Sequence, residues 1–183
     1  GGANFSKVTA ANCQFKHAKI GATMTLEANF TRCDFSGAKL DGASFINSHF
    51  TDCLLNGCLL NNVRFMQSAF IKTSFIGATF FQAMFLDSSL KATLIQQSII
   101  TRSIFAQVNA AEVDFQHAVL DRVQFGGACA LIGANFSSAT ANIIGFQGAD
   151  LTESNFSNAA IKQGNFTDCP LNRADLQSAA FYQ

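Results

Sequence analysis

Residues 65–85 read FMQSA FIKTS FIGAT FFQAM F, with a phenylalanine at every fifth position. An α-helix repeats every 3.6 residues and a β-strand every 2, so neither puts every fifth side chain on one side. A chain that turns a corner after every five residues does so, because each corner sends one ring toward the inside of a coil. The stretch therefore predicts a coiled backbone with one large inward side chain in each unit of five.

The five-residue spacing continues through the whole chain. It runs from Phe5 to Phe125, passes one inserted residue within 126–130, and resumes up to Phe181. Of these 36 central positions, 32 hold Phe, Leu or Ile, and they include 19 of the 20 phenylalanines. Internal repetition of this kind is typical of solenoids. We predict a single repeat domain, residues 1–183, with a one-residue register slip near 126–130 that forms a bulge in a turn.

A longer period of 20 residues sorts the central positions into four columns. Two columns that lie ten residues apart hold 14 of the 19 central phenylalanines, and the other two are mainly aliphatic. Four corners per coil, with rings on opposite sides, explain this distribution. The 36 units then make about nine coils, which span about 43 Å at the usual spacing of paired strands. Phe81 is the one phenylalanine outside the central positions.

The residue two places before each central position is small, which indicates a second and more crowded inward position. All six cysteines occupy it: Cys13, Cys33, Cys53, Cys58, Cys129 and Cys169. Cysteine commonly serves as a small buried apolar residue, so we predict six free thiols and, with them, a reducing cytoplasmic location. The alternative stays open for the first three, because their spacing of 20 brings neighbouring coils within disulfide distance.

Composition and motifs disfavour several classes of function. Charged residues make up 13% of the chain and the net charge is zero, so no basic nucleic-acid footprint is visible. The sequence contains no run of 18 apolar residues, so it predicts no transmembrane helix. His, Cys and carboxylates show no metal-ligand spacing, and no nucleophile or phosphate-binding motif occurs. A filled rod also offers no deep pocket, so we predict a protein that is not an enzyme and binds no cofactor or metal.

Several units share a more specific pattern, in which a small residue and Asn or Asp precede the central residue. They are Gly2-Ala3-Asn4-Phe5, Glu27-Ala28-Asn29-Phe30, Gly133-Ala134-Asn135-Phe136, Gly148-Ala149-Asp150-Leu151 and Arg173-Ala174-Asp175-Leu176. This pattern resembles the A-(D/N)-(L/F)-x-x unit of the pentapeptide-repeat family. The resemblance covers essentially the whole chain. It implies an all-β fold, a right-handed quadrilateral β-helix of about nine coils.

The same resemblance implies several functions. Family members that confer quinolone resistance are DNA mimics that bind type II topoisomerases, which requires an acidic stripe. The four faces of this chain carry net charges of −1, 0, −2 and +3, so none is strongly acidic. Other members are cyanobacterial proteins of unknown role and repeat domains of bacterial secreted effectors. We expect a non-enzymatic interaction or scaffold module, such as the repeat domain of an effector delivered into a host cell; a topoisomerase-binding mimic and a purely structural rod are the alternatives.

One predicted face carries outward apolar residues where the others are mainly polar. Its members are Met24, Leu26, Ile46, Met66, Met84, Leu86 and Ile104. Four of them lie 20 residues apart and should stack as a stripe over four coils. Contiguous exposed apolar surface usually marks a partner site, so we predict that this face binds a protein partner or a second copy of the chain. Two alternatives stay open: single exposed apolar residues are ordinary, and Met24 or Leu26 turns inward beside the small Thr25.

Overall fold

The computed structural model describes residues 3–183 as a stack of short parallel strands joined by corners, without a helix in that range. The prediction of an all-β solenoid of about nine turns is confirmed. Gly1 and Gly2 lie outside the described residues. Both belong to the predicted domain, and Gly2 is the first residue of the first repeat unit quoted above.

Sixteen strands within residues 3–183 are long enough to be named, and most comprise three residues. They are β1 Thr9–Ala11, β2 Met24–Leu26, β3 Asn29–Thr31, β4 Ser44–Ile46, β5 His49–Thr51, β6 Leu59–Asn61, β7 Arg64–Met66, β8 Ala69–Ile71, β9 Thr79–Phe81, β10 Met84–Leu86, β11 Ile99–Thr101, β12 Ile104–Ala106, β13 Val119–Gly126, β14 Thr140–Gly145, β15 Ala160–Asn165 and β16 Ala180–Tyr182.

The strands and isolated bridges form four parallel ladders, one for each face of the rod. Face 1 contains β2, β4, β7, β10 and β12, and face 2 contains β1, β3, β5 and β8. Face 3 is a series of single bridges from Gln14 to Asp175. Face 4 contains β6, β9, β11 and β16, and the longer β13, β14 and β15 bend from face 4 onto face 1. Because partners in a ladder are 20 residues apart, or 21 across the inserted residue, the backbone hydrogen bonds run along the rod.

Phenylalanine rings fill the interior in stacked columns. The ring centroids of Phe65 and Phe85, and of Phe85 and Phe105, are 4.9 Å apart. Rings of neighbouring columns meet edge to face, as Phe65 and Phe70 do at 5.0 Å and 87°. Both arrangements are favoured by the aromatic quadrupole. The central rings therefore bury apolar surface and also fix the stacking of successive coils.

Each corner is made by the residue two places after a central position, and its backbone is left-handed. In residues 3–183, 29 non-glycine residues and seven glycines have positive φ. L-residues adopt this conformation only with some strain. The strain is offset by hydrogen bonds between coils, as where the Asp52 N–H donates to the Ile71 carbonyl at 2.9 Å.

The register slip lies at a single corner. Gly126 pairs with Ala106, 20 residues away, whereas Ala130 pairs with Asn109, 21 residues away. Between them Gly127 and Ala128 both have positive φ, so the extra residue widens this corner. A Cβ atom on Gly127 would lie 2.9 Å from the Gln107 side chain, which explains why glycine occupies that position.

Candidate interaction face

Strand pairing places four of the predicted apolar residues in one ladder on face 1. Leu26 pairs with Ile46, Ile46 with Met66, and Met66 with Leu86. The next partner is Ala106, where the large apolar side chains end. These four residues, which we call the apolar stripe, follow the central residues and point outward, because the central rings point inward.

The other three predicted residues precede the central residues of the same strands, and their ladder is interrupted. It runs from Met24 through Ser44 and Arg64 to Met84 and Ile104. Met84 and Ile104 are therefore neighbours, whereas Met24 is separated from them by two polar residues. All seven residues lie on face 1, but only the four that follow central residues form a continuous stripe.

Exposure differs among the seven residues. Met24, Leu26 and Ile104 are exposed by 64%, 37% and 40%, and the other four are half-buried. Thr25 between the first two is fully buried, so neither Met24 nor Leu26 turns inward to replace the missing ring. The hydroxyls of Thr23 and Thr25 are buried and have no hydrogen-bond partner within residues 3–183.

Charged side chains border the apolar stripe. The adjoining corner carries Glu27 and Asp87, with Asn47 and Gln67 between them. Arg64 is exposed at the centre of the interrupted ladder that runs from Met24 to Ile104. None of the three charged side chains takes part in an ion pair within the described residues. An apolar strip with polar borders is the usual composition of a protein-binding patch.

The structure adds Phe81, the one phenylalanine that lies outside the central positions. Phe81 ends β9 on face 4, is half-buried, and is followed by the corner residue Gln82 and then by β10. Phe81 therefore lies next to the corner at which the chain passes from face 4 to Met84 on face 1. The signal was present in the sequence, because five successive residues that follow central positions are apolar: Met66, Ile71, Ile76, Phe81 and Leu86.

Exposed apolar residues also occur on the other three faces. Leu54 and Leu94 lie on face 3, Ile71 and Ile132 on face 2, and Ile99 and Val119 on face 4. Face 1 is distinguished by the continuity of its stripe over four coils. Whether the stripe binds a partner stays a prediction.

The six cysteines are free, and four of them are buried. Their thiols donate to backbone carbonyls, as Cys58 does to the Phe35 oxygen at 3.0 Å. Burial raises the pKa of Cys53 to about 11 and that of Cys58 to about 12. Within residues 3–183, no three His, Cys, Asp or Glu side chains are grouped so that they could hold a metal ion. The same part of the chain contains no helix that is long and apolar enough to cross a membrane.

Comparison with known families identifies the repeat. The model for a pentapeptide repeat region matches residues 28–101, and the model for pentapeptide repeats in eight copies matches residues 129–177. Together the two matches cover about two thirds of the chain. The chain belongs to the pentapeptide-repeat family. No curated protein matches it in sequence.

Solved pentapeptide-repeat structures share the fold. HetL, from the cyanobacterium Nostoc sp. strain PCC 7120 and involved in regulation of heterocyst differentiation, is 15% identical with a TM-score of 0.67, and the alignment covers 96% of this chain and 88% of HetL. Trypsin-treated QnrB1 M102R, a plasmid-mediated fluoroquinolone resistance protein, is 17% identical with a TM-score of 0.74, covering 95% and 91%. At these identities the likeness concerns the fold of this pentapeptide-repeat protein.

Proposed function

We propose that this pentapeptide-repeat protein is a non-enzymatic interaction module that binds a protein partner through the apolar stripe. The observation that carries the proposal is the ladder of Leu26, Ile46, Met66 and Leu86, which presents large apolar side chains on four consecutive coils. Removing such surface from water favours association. The two methionines of the central part, Met66 and Met84, add side chains that adapt to different partners.

The rod suits this role because its backbone is held on every coil. Strands β4, β7, β10 and β12 of face 1 are paired on both sides, whereas β2 ends its sheet. The part of the stripe from Ile46 to Leu86 is therefore rigid and loses little backbone entropy on binding. Because the central rings occupy the interior, the apolar stripe can evolve without loss of the core. A partner that lies along the rod would contact the four side chains in succession.

The test is a double variant of the stripe, Met66→Glu with Leu86→Glu. Neither residue points inward, so the variant should fold, with the far-ultraviolet circular dichroism and unfolding midpoint of the parent. Two carboxylates would have to be desolvated in the docked surface, which is costly. We expect the variant to lose a partner that the parent captures, or the parent's self-association in multi-angle light scattering if the partner is a second copy.

The matched control lies on the same face at its polar end, Gln147→Glu with Thr167→Glu. Both residues follow central phenylalanines and are exposed. This pair adds the same charge outside the stripe and should bind as the parent does. If both pairs bind like the parent, the apolar stripe is not the docking surface, and a purely structural rod becomes the better interpretation.

We further propose that the chain is the repeat domain of a longer protein, such as a bacterial secreted effector, and that it works in a reducing cytoplasm. The free, hydrogen-bonded thiols support the second part. Delivery into a host cell would follow from the first. The complete reading frame around this segment tests the effector proposal, because an effector would carry a secretion signal or a further domain there.

A further inference from the structure

Face 2 contains a shallow crevice between two successive coils. Its volume is about 300 Å³, and it is lined by Phe70, Ile71, Lys72, Ser89, Lys91 and Ala92. It lies beyond β8, on a different face from the apolar stripe. Its lining combines apolar side chains with two lysines, a combination that no motif of the sequence indicates.

The crevice coincides with an interruption of the hydrogen bonds between coils. On this face the corner N–H of Asp52 donates to Ile71 at 2.9 Å, and that of Ala92 donates to Ala111 at 2.9 Å. Between these two corners, the Lys72 N–H has no acceptor and the Lys91 carbonyl has no donor within residues 3–183. The two coils are joined just before this corner, where the Phe70 N–H donates to the Ser89 carbonyl at 2.9 Å, but a backbone donor is left free at the crevice.

A change in the type of corner accompanies the interruption. The corner after Leu90 is closed by a hydrogen bond from the Thr93 N–H to the Leu90 carbonyl at 3.0 Å. The corner after Phe70 has no equivalent bond, and neither have the three corners before it on this face. An open corner at Lys72 thus stacks on a closed one at Ala92. The change of corner does not by itself break the bond, because on face 4 the Ala22 N–H of an open corner still donates to the Asp41 carbonyl of a closed one at 2.8 Å. The loss of the bond is therefore particular to the crevice.

Most of the polar groups at the crevice are donors, which favours an anion; the Lys91 carbonyl is the one free acceptor among them. The Lys72 N–H and the ammonium groups of Lys72 and Lys91 are donors, and hydrogen bonds from charged groups to a carboxylate are the stronger kind. Ile71, which is 49% exposed, supplies apolar surface beside them. The lining thus matches a group that has a charged end and an apolar stem.

The neighbouring carboxylates do not occupy these donors. Glu112 lies 3.8 Å from the Lys91 ammonium, but both side chains are largely exposed, so this pair is weak. Asp52 lies at the preceding corner and forms no ion pair with Lys72 among the described residues. An incoming carboxylate therefore competes with one weak contact.

We propose that this crevice binds a carboxylate on a short apolar stem, supplied by an acidic side chain of the partner protein. That a partner protein supplies the carboxylate rests on the proposed function, whereas the preference of the crevice for a carboxylate does not. The volume lies at the lower limit of ligand pockets, so it suits one side chain or a probe of similar size. The site gives a second anchor on a face next to the apolar stripe and sets the orientation of the partner on the rod.

The site can be tested without the partner, with hexanoate as the probe and the ¹⁵N-labelled chain observed by NMR. Hexanoate should shift the amide signals of Lys72 and Ala92 in a saturable manner, whereas hexanol and acetate, which each lack one half of the group, should shift them less. Lys72→Gln with Lys91→Gln should weaken hexanoate binding about tenfold, because two charge-assisted contacts are lost. Lys19→Gln with Lys39→Gln removes the same charge elsewhere and should leave binding unchanged.

Two results would overturn the crevice site: no saturable shift at Lys72, or equal weakening by the two lysine pairs, which would show a general charge effect. The partner is tested separately. Lys72→Gln with Lys91→Gln should weaken capture of the partner by about tenfold, and unchanged capture would exclude the acidic side chain as the occupant. If the Met66 and Leu86 variant still captures the partner, the result counts against the apolar stripe but not against the crevice. The hexanoate titration tests the crevice by itself, without the stripe or the partner.

Discussion

The small inward residue before each central ring determines how polar atoms are accommodated in this core. Ser68 donates from its hydroxyl to the Phe45 carbonyl at 3.3 Å, and Cys58 donates from its thiol to the Phe35 carbonyl at 3.0 Å. Serine, threonine and cysteine are thus tolerated because the previous coil supplies an acceptor at the same place. Thr23 and Thr25 lack such a partner among the residues that the structure describes, which makes the second coil a local weak point.

The buried thiol of Cys58 should make stability depend on pH in the alkaline range. Its pKa is raised to about 12 from 9.0 because burial disfavours the thiolate. The unfolded chain releases this proton first, so the contribution is fully present below pH 9 and is lost as pH rises toward 12. At pH 10.5 we expect the unfolding free energy to fall by about 2 kcal/mol relative to pH 8 from this group.

The control is Cys58→Ala, which keeps a small inward residue and removes the titrating group. Urea denaturation of both chains at pH 8 and pH 10.5 separates the contribution of Cys58 from that of groups present in both, among them Cys53, whose pKa burial also raises. An equal loss in both chains would show that Cys58 does not cause the dependence.

All six cysteines should be reduced. Alkylation after denaturation without reductant should modify six thiols, as counted by mass spectrometry. In the native state the half-buried Cys13 and Cys169 should react before the four buried thiols. A mass consistent with four modified thiols would reveal a disulfide, for which the first three cysteines are the natural candidates because they stack in one column.

Among the elements, the aromatic column of face 1 should carry much of the stability of the middle coils. Phe85 is fully buried and stacks on both Phe65 and Phe105 at 4.9 Å. Phe181 is 50% exposed and meets Phe166 at 5.7 Å. We expect Phe85→Ala to cost about 3–5 kcal/mol of unfolding free energy. Phe181→Ala should cost less than about 1.5 kcal/mol because half of its surface is already in water.

Chemical denaturation of the two variants beside the parent chain measures the difference. The comparison depends on contacts between neighbouring coils, which dominate the stability of solenoids. Equal losses in the two variants would mean that stability is spread evenly along the rod, and the nearest-neighbour description would then be wrong for this chain.

For the whole molecule, the charge distribution bears on the topoisomerase alternative. The faces carry −1, 0, −2 and +3, so the rod lacks a one-signed field that could imitate a row of phosphates. We expect that a stoichiometric amount of the chain leaves DNA supercoiling by a bacterial type II topoisomerase unchanged in a gel assay. Inhibition that weakens with salt would contradict this expectation and favour DNA mimicry.

The candidate site shows where sequence reasoning was sufficient and where it was not. The spacing of 20 predicted that Leu26, Ile46, Met66 and Leu86 stack, and the strand register agrees. It did not distinguish exposed from half-buried members, because exposure depends on the side chains of the adjacent coil. Phe81 was overlooked because it lies outside the central positions, although the run of apolar residues between Met66 and Leu86 contains it.

The sequence by itself determined the coil, its four faces and its aromatic interior, because a large side chain at every fifth residue can be buried in only one way. It also limited the register slip to 126–130. Only the tertiary structure showed that Gly127 and Ala128 share the widened corner, and that an open corner at Lys72 stacks on a closed one at Ala92. The type of corner depends on a hydrogen bond within the corner, such as that from the Thr93 N–H to the Leu90 carbonyl, which the spacing of residues along the chain does not encode.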